Sequence, residues 1–408
     1  MLAQPSQVLV IGAGAAGLAA AAALARARRS VTVLEARDRI GGRCLTLRHP
    51  LVAAPIELGA EFIHGRPEST IALLRKFRTG SSESTRTQRI LWEGRLRSVN
   101  AFAAAQEAVR GFRSLPDMSF RRFLQIRSLP PLTRVLATMM VQGFDAADPA
   151  LVSARSIAEE WASGEIGDSQ LRPLGGYGPL LERLARSGAR LQLQTLVREV
   201  RWRPGRVEVR GEHLGRPFSA RAKRAIITLP LGVLQSGAVR FSPGLNKTAS
   251  LRSLASGPVI RVAMVFAKRF WDPRVAFFHA PRAPFPTFWT PLPMRVPLLT
   301  AWAGGPKAAR LAGERPEELV QIALRTVLTV LRRKEHLMAA YVQDWQADPF
   351  ALGAYSYVKV NGAGAREALA APVAGTLFFA GEATSVEESG TVGGALSSGL
   401  RAAHEALG

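Results

Sequence analysis

Apolar positions run without a charge from Val8 to Ala25, and their character changes part-way. The β-branched and leucine run Val8 to Ile11 predicts a short buried strand. Glycines at 12, 14 and 17 then punctuate the pattern, and alanine and leucine follow, which predicts a tight turn into a small-residue helix. A second apolar run, Val31 to Leu34, reads as another strand and ends on Glu35. Further along, Ile56 to Gly65 predicts a short buried strand ending in a glycine turn with His64 at its tip, and the polar stretch Ser81 to Gln88 predicts a surface loop. Apolar spacing is mostly helical from Asn100 to Trp161, and a helix follows the Gly175 to Gly178 turn. Leu191 to Val209 alternates like paired strands around Pro204 and Gly205, and Ala225 to Leu229 reads as a buried strand stopped by Pro230. Val259 to Phe266 predicts a strand, Pro281 to Pro297 an irregular connection, and Pro316 to Arg333 a helix opening at proline. Near the C-terminus a strand, Thr376 to Ala380, precedes Gly381 and Glu382, and Thr391 to Leu407 predicts a small-residue helix.

The first unit carries chemistry. Gly12, Gly14 and Gly17 have G-x-G-x-x-G spacing between a strand and a helix: one glycine for the tight turn, one for close approach of backbone to a pyrophosphate, one for helix-on-strand packing. The free N–H groups and positive end of the helix face such a phosphate. Glu35, about twenty residues on, suits a ribose hydroxyl, and an acid there favours NAD or FAD over NADP. Val8 to Ala25 also approaches the roughly twenty residues of a membrane span. The three glycines at dinucleotide spacing and the lack of a preceding basic cluster argue against a span or a signal peptide. Immediately after Glu35, Arg37 to Arg43 is a turn-rich segment placed to return to the dinucleotide.

Composition narrows the class. At 408 residues and 47% hydrophobic content the chain has material for a large core and two or three lobes. The single cysteine, Cys44, excludes an internal disulfide and a cysteine-based metal cluster, and a reducing cytoplasm is the expected location. The formal charge is +23, and 47 of the 54 basic residues are arginine. Such a surface attracts anionic polymers. The arginines are nevertheless scattered, without a basic run or interleaved stacking aromatics, so neither nucleic acid nor metal is an expected partner.

Four separated segments together resemble the flavin-containing amine oxidase family: Gly12 to Gly17 with Glu35, Arg39 to Arg43, Trp345 to Ser356, and Phe379 to Thr384 with Gly390 to Ala395. The resemblance spans nearly the whole chain. It implies an α/β protein with a Rossmann-like FAD-binding domain assembled from 1–75, 170–245 and 345–408, and a discontinuous α+β substrate-binding domain from 76–169 and 246–344. It implies that FAD is the cofactor. Contacts to it are carried over onto Gly12, Gly14, Gly17, Glu35, Ala36, Arg37, Gly42, Arg43, Gly59, Ala60, Glu61, Val197, Trp345, Gly381, Glu382, Thr391 and Val392. Arg43 is expected at phosphate, Val197 at the adenine side, Glu382 at a ribose or ribityl hydroxyl, and the helix starting at Thr391 at the pyrimidine edge of the flavin.

The family reaction passes a hydride from the carbon beside an amine to flavin N5, and oxygen or another acceptor then reoxidises the flavin. The expected substrate is a small-molecule amine that reacts as the neutral base. Four positions are carried over to the reaction site. Tyr355 matches one aromatic wall of the family's substrate cage, whereas the opposite wall is Thr391, closer to the pattern of polyamine oxidases and histone demethylases than to that of monoamine oxidases. Arg261 falls where the family has a lysine that holds a water near N5, and His64 matches a histidine of the polyamine-oxidase segment. Glu387 and Glu388 are placed to attract a cationic substrate, although solvated loop acids are the safer reading of the pair. Ala354 replaces the cysteine of enzymes that attach FAD covalently, so the expected FAD is noncovalent. Two alternatives stay open: an FAD-dependent desaturase or oxidase acting on C–C bonds, and a flavoprotein-like fold used only for binding. The amine and the oligomeric state have no sequence signal.

Overall fold

The computed structural model describes residues 6–85, 87–112, 116–162 and 170–408. The glycine unit folds as its pattern requires: β1 (Val8–Ile11), α1 (Ala15–Arg26) and β2 (Val31–Leu34), with the two strands parallel and paired Val8 to Val31 through Ile11 to Leu34. They lie inside a parallel five-stranded sheet with spatial order Arg190–Gln192, β2, β1, Arg224–Ile227, Leu377–Phe379. Alternation along β1 separates two cores. Val8 and Val10 face the helical side, with α1 and Val392–Leu407. Leu9 and Ile11 face a four-stranded sheet of Arg216–Ala222, Arg206–His213, Thr195–Arg203 and Arg240–Ser242. Only small residues let the two helices approach so closely: a Cβ on Gly399 would lie 2.2 Å from the Ala16 carbonyl oxygen.

A seven-stranded sheet, ordered Leu337–Asp344, Val259–Phe266, Leu298–Gly304, Thr287–Trp289, Phe277–His279, Gln88–Trp92, Arg95–Val99, forms a second centre. All eight residues of Val259–Phe266 are buried. Ile260, Val262, Met264 and Phe266 pack under the helix Pro316–Leu331, and Ala263 and Val265 pack on the opposite face against Val52 and Ile56. Period-two alternation therefore puts Arg261 on this second face. The helices Ala101–Val109, Phe120–Ile126, Pro131–Gly143 and Ala154–Ala162 build a separate core that abuts Tyr357.

Two expectations are corrected. Ser81 to Gln88 is not simply a loop: Ser81–Glu83 pairs antiparallel with Gln170–Pro173, and Gln88 opens a strand of the large sheet. The polar residues survive there because Ser81 and Glu83 turn outward, while buried Gln88 accepts the Ala101 N–H at 3.0 Å. Ile56 to Gly65 is not one strand. Val52–Glu57 ends before Leu58, and Ile63–His64 joins another sheet. The intervening backbone is drawn away by Leu45 and Arg43, which accept the Leu58 and Ala60 N–H groups.

Candidate active site

A continuous cavity of about 840 Å3 runs from the glycine turn to an aromatic chamber. At its first end each glycine has its own reason. Gly12 has φ +110°, and a Cβ there would lie 2.6 Å from the Thr228 hydroxyl. On Gly17 it would lie 1.9 Å from the Gly12 carbonyl oxygen. On Gly14 it would meet no protein atom within 4 Å. Gly14 is thus bare toward space that the protein itself does not fill. The Glu35 carboxylate accepts the Ala13 N–H at 2.7 Å and the Arg37 N–H at 2.9 Å, which fixes it at the tip of β2. Glu35, Ala36 and Val197 line this end, whereas the Arg37 guanidinium is engaged with Asp348 at 2.7 Å.

In the middle, Arg43 donates to the Ala354 carbonyl at 2.6 Å and pairs with Glu382 at 2.9 Å, so this guanidinium is not an unengaged phosphate fork. The other Glu382 oxygen accepts the Ser356 hydroxyl at 2.7 Å, and Arg366 donates to the same hydroxyl at 2.6 Å. Burial pushes the Glu382 carboxyl up, but Arg43 and Arg366 outweigh it and hold the group below the ordinary carboxylate range. Gly381, at φ +138°, would also turn a Cβ into space with no protein atom within 4 Å. Gly42 crosses close to Gly14, and Ala60 lines the passage. Gly59 lies so tightly on the Arg43 carbonyl that a Cβ would stand 1.8 Å from its oxygen, and the buried Trp345 N–H donates to the Leu58 carbonyl at 3.0 Å. The Thr391 hydroxyl accepts the Gly394 N–H at 3.0 Å, capping Val392–Leu407 with its N-terminus at the cavity. Two glycines bare toward the passage, a buried ribose-type acid and a helix N-terminus fit an extended dinucleotide such as FAD.

The far end is aromatic. Tyr355 and Trp302 stack with centroids 6.5 Å apart and planes inclined by 17°, and the Trp302 N–H donates to the Gly143 carbonyl at 2.8 Å. Trp302 is the cross-strand partner of Arg261, and Tyr355 that of Gly257, so two sheets deliver the pair. His64 sets its ring against Phe144 with centroids 5.0 Å apart. Arg261, 2% exposed, donates to the Gly59 carbonyl at 2.8 Å and pairs with Glu61. Glu61 also takes the Arg172 Nε–H at 2.6 Å and the Trp289 N–H at 2.9 Å. Burial works against the Glu61 carboxylate, but the two guanidiniums prevail and hold it below its usual range. Two guanidiniums thus flank the Glu61 carboxylate on the cavity wall, and the charge of Arg261 acts on the buried Glu57 carboxyl as well.

The positions read from sequence thus lie along one cavity, Gly17 excepted, which packs helix on strand, and Glu61 acts there as the counter-ion of Arg261. Sequence reasoning missed Arg172, Trp289, Trp302, Asp145 and Glu160, which line the chamber or brace its wall. Only Asp145 had a signal, as the lone charge in the otherwise uncharged stretch from Val135 to Ala147.

Fold and site together define a flavin-type oxidoreductase: a dinucleotide passage on a parallel sheet that opens into a buried aromatic chamber. The family model described as flavin containing amine oxidoreductase matches residues 15–407. Polyamine oxidase 4 of Oryza sativa subsp. japonica is 30% identical over 99% of this chain and 89% of that protein. Lysine-specific histone demethylase 2 of Homo sapiens is 29% identical over 97% of this chain, which spans 53% of that relative. The fold matches putrescine oxidase bound to putrescine (TM-score 0.83, 21% identity, 99% of both chains) and cyclohexylamine oxidase from Brevibacterium oxydans (TM-score 0.83, 22% identity, 98% of both). The chain belongs to the flavin-containing amine oxidoreductases and is an FAD-dependent enzyme. Among the described residues no helix is long and apolar enough to cross a membrane.

Proposed function

We propose that the protein oxidises the carbon beside an amino group, with noncovalent FAD along the passage from Gly14 to Thr391 and substrate in the Tyr355 and Trp302 chamber. When bound, FAD would supply the hydride acceptor for this chemistry, with O2 as the final oxidant and imine and hydrogen peroxide as the products. The division of the chain into a discontinuous FAD-binding domain and a substrate-binding domain belongs to the same reading.

The observation that carries it is the continuity of the nucleotide passage with a chamber walled by stacked aromatics and a buried guanidinium. In that chamber an ammonium loses hydration and meets the charge of Arg261, so the amine is favoured in the neutral form that reacts. Arg261 holds a fixed cation on the cavity wall that would stabilise negative charge on a reduced flavin, and cannot itself take the proton. Tyr355 is unsuited as a base, because burial pushes its phenol above the ordinary range and nearby carboxylates push it further. Positioning, rather than proton transfer by a side chain, is therefore the protein's main contribution. Relatives named for polyamines and a similar fold bound to putrescine support testing substrates with more than one amine first.

Anaerobic mixing of the purified holoprotein with mono-, di- and polyamines should bleach the oxidised-flavin band, and readmitted oxygen should restore it with one peroxide per amine. A flavin band untouched by every amine would overturn the proposal in favour of C–C chemistry.

A further inference from the structure

We propose that the outer face of the four-stranded sheet Arg216–Ala222, Arg206–His213, Thr195–Arg203 and Arg240–Ser242 docks on an anionic lipid bilayer through its arginines. The inner face is fixed by Val200, Val207, Val209 and Ala222, which pack toward the parallel sheet. Period-two alternation then turns Glu199, Arg201 and Arg203 outward. Registry adds their cross-strand neighbours to the same face: Arg210 and Arg240 beside Glu199, Glu208 and then Arg221 beside Arg201, and Arg206 beside Arg203. The docking is independent of the reaction proposed for the cavity.

Each of the two acids is clasped by a pair of guanidiniums. Glu199 holds Arg201 and Arg240, both at 3.0 Å. Glu208 holds Arg210 at 2.6 Å and Arg221 at 2.9 Å. These hydrogen bonds keep both carboxyls below the ordinary carboxylate range, so the acids stay ionised and orient the arginines. The acid side chains are 10% and 14% exposed and the arginine side chains over them 46–72%, so it is the cations that meet solvent. Arg203 and Arg206, also exposed, oppose one another across the Pro204 and Gly205 turn without an acid partner among the described residues. Like charges directly opposite on a sheet are destabilising, and an anion laid over them relieves that cost. Arg198 and Glu212 pair with each other at 3.5 Å and cancel. Six guanidiniums against two carboxylates leave the face with four positive charges in excess.

Two features select a bilayer among anionic partners. Between the arginines the face carries Ser219 and Ser242, while Trp202 packs on the inner core, so the stacking platform that a single-stranded nucleic acid needs is missing. The acids sit on the two middle strands, and Arg221 and Arg240 on the two outer ones. A plane of lipid phosphates reaches the cations at the rim, whereas a rod lying along the middle strands meets the acids first.

The test sediments the holoprotein with vesicles of equal parts phosphatidylserine and phosphatidylcholine, with vesicles of phosphatidylcholine alone, and measures its affinity for duplex DNA at matched phosphate concentration. Binding to the anionic vesicles should exceed binding to the neutral ones by about tenfold or more at low salt and fade as ionic strength rises. Arg203→Gln with Arg206→Gln should lower it by about tenfold or more, and Arg203→Lys with Arg206→Lys should retain it. Arg75→Gln with Arg325→Gln removes the same charge from exposed positions of Glu68–Lys76 and Pro316–Leu331, and should leave binding within about twofold. No preference for anionic vesicles, no loss in the Arg203 and Arg206 pair, or an equal loss in the Arg75 and Arg325 pair would overturn the proposal. Duplex DNA held more tightly than the vesicles would overturn it as well, because the partner of this face would then be a nucleic acid.

Discussion

Arg261 carries a charge where its strand is otherwise apolar, and it survives burial because Glu61, the Gly59 carbonyl and the Trp289 face receive it. Replacing it with methionine keeps the volume and removes the cation. Arg261→Met should slow anaerobic flavin reduction by about a hundredfold, read by stopped-flow absorbance, if the charge stabilises the developing anion. Glu57 offers a test without chemistry. Its carboxyl accepts the Tyr177 N–H at 2.8 Å and the Thr46 hydroxyl, yet burial raises it to about 7 from an ordinary 4.5. A folded-state value above the unfolded one means that stability is fully present below pH 4.5 and is lost as pH rises toward 7. The cost approaches roughly 3 kcal/mol. Glu57→Gln should therefore melt higher than the parent protein at pH 8, with the advantage fading by pH 4.5. Neither environment was legible in advance. Arg261 was assigned by register alone, and nothing local to Glu57 signals that Gly176 and Tyr177, far along the chain, close over it.

At the scale of elements the glycine turn separates two uses of one residue type. Gly14→Val points a side chain into the passage, its Cβ meeting no protein atom within 4 Å, so the fold should persist while bound flavin per mole of protein falls severalfold in the purified material. Gly17→Ala drives a methyl into the Gly12 carbonyl and should lower the melting temperature even of the apoprotein. Equal stability of Gly17→Ala and the parent would refute the packing role. This unit was readable because strand, turn, helix and acid are contiguous and each has its own pattern. Val259 to Phe266 was readable for the same reason, as an apolar run longer than its flanks. Ser81–Glu83 was not, because an edge strand with outward serines has the composition of a loop, and only its pairing with Gln170–Pro173 reveals it. The chamber was the least legible part. Tyr355 could be carried over from a motif, but Trp302 reaches it by cross-strand registry with Arg261, and Asp145, just past the end of Pro131–Gly143, meets Glu160 of Ala154–Ala162 only in the folded chain.

For the molecule as a whole, Arg172 links distant parts. Its guanidinium joins Glu61 to the carbonyls of Thr290 at 3.0 Å and Leu292 at 2.7 Å. Arg172→Met strands those acceptors and leaves Glu61 to Arg261 alone. It should cost about 3–5 kcal/mol of unfolding free energy, measured by denaturant titration of the holoprotein. A second long-range tie has a consequence for how the protein is made. The parallel sheet begins with Val8–Ile11 but takes its edge from Leu377–Phe379, and α1 is covered by Val392–Leu407 through the contact of Gly399 with Ala16. During synthesis, therefore, the glycine turn leaves the ribosome long before the strand and helix that complete its layer. The alanine face of α1 waits uncovered until Val392–Leu407 has been made, and the nucleotide passage closes only when these widely separated segments meet.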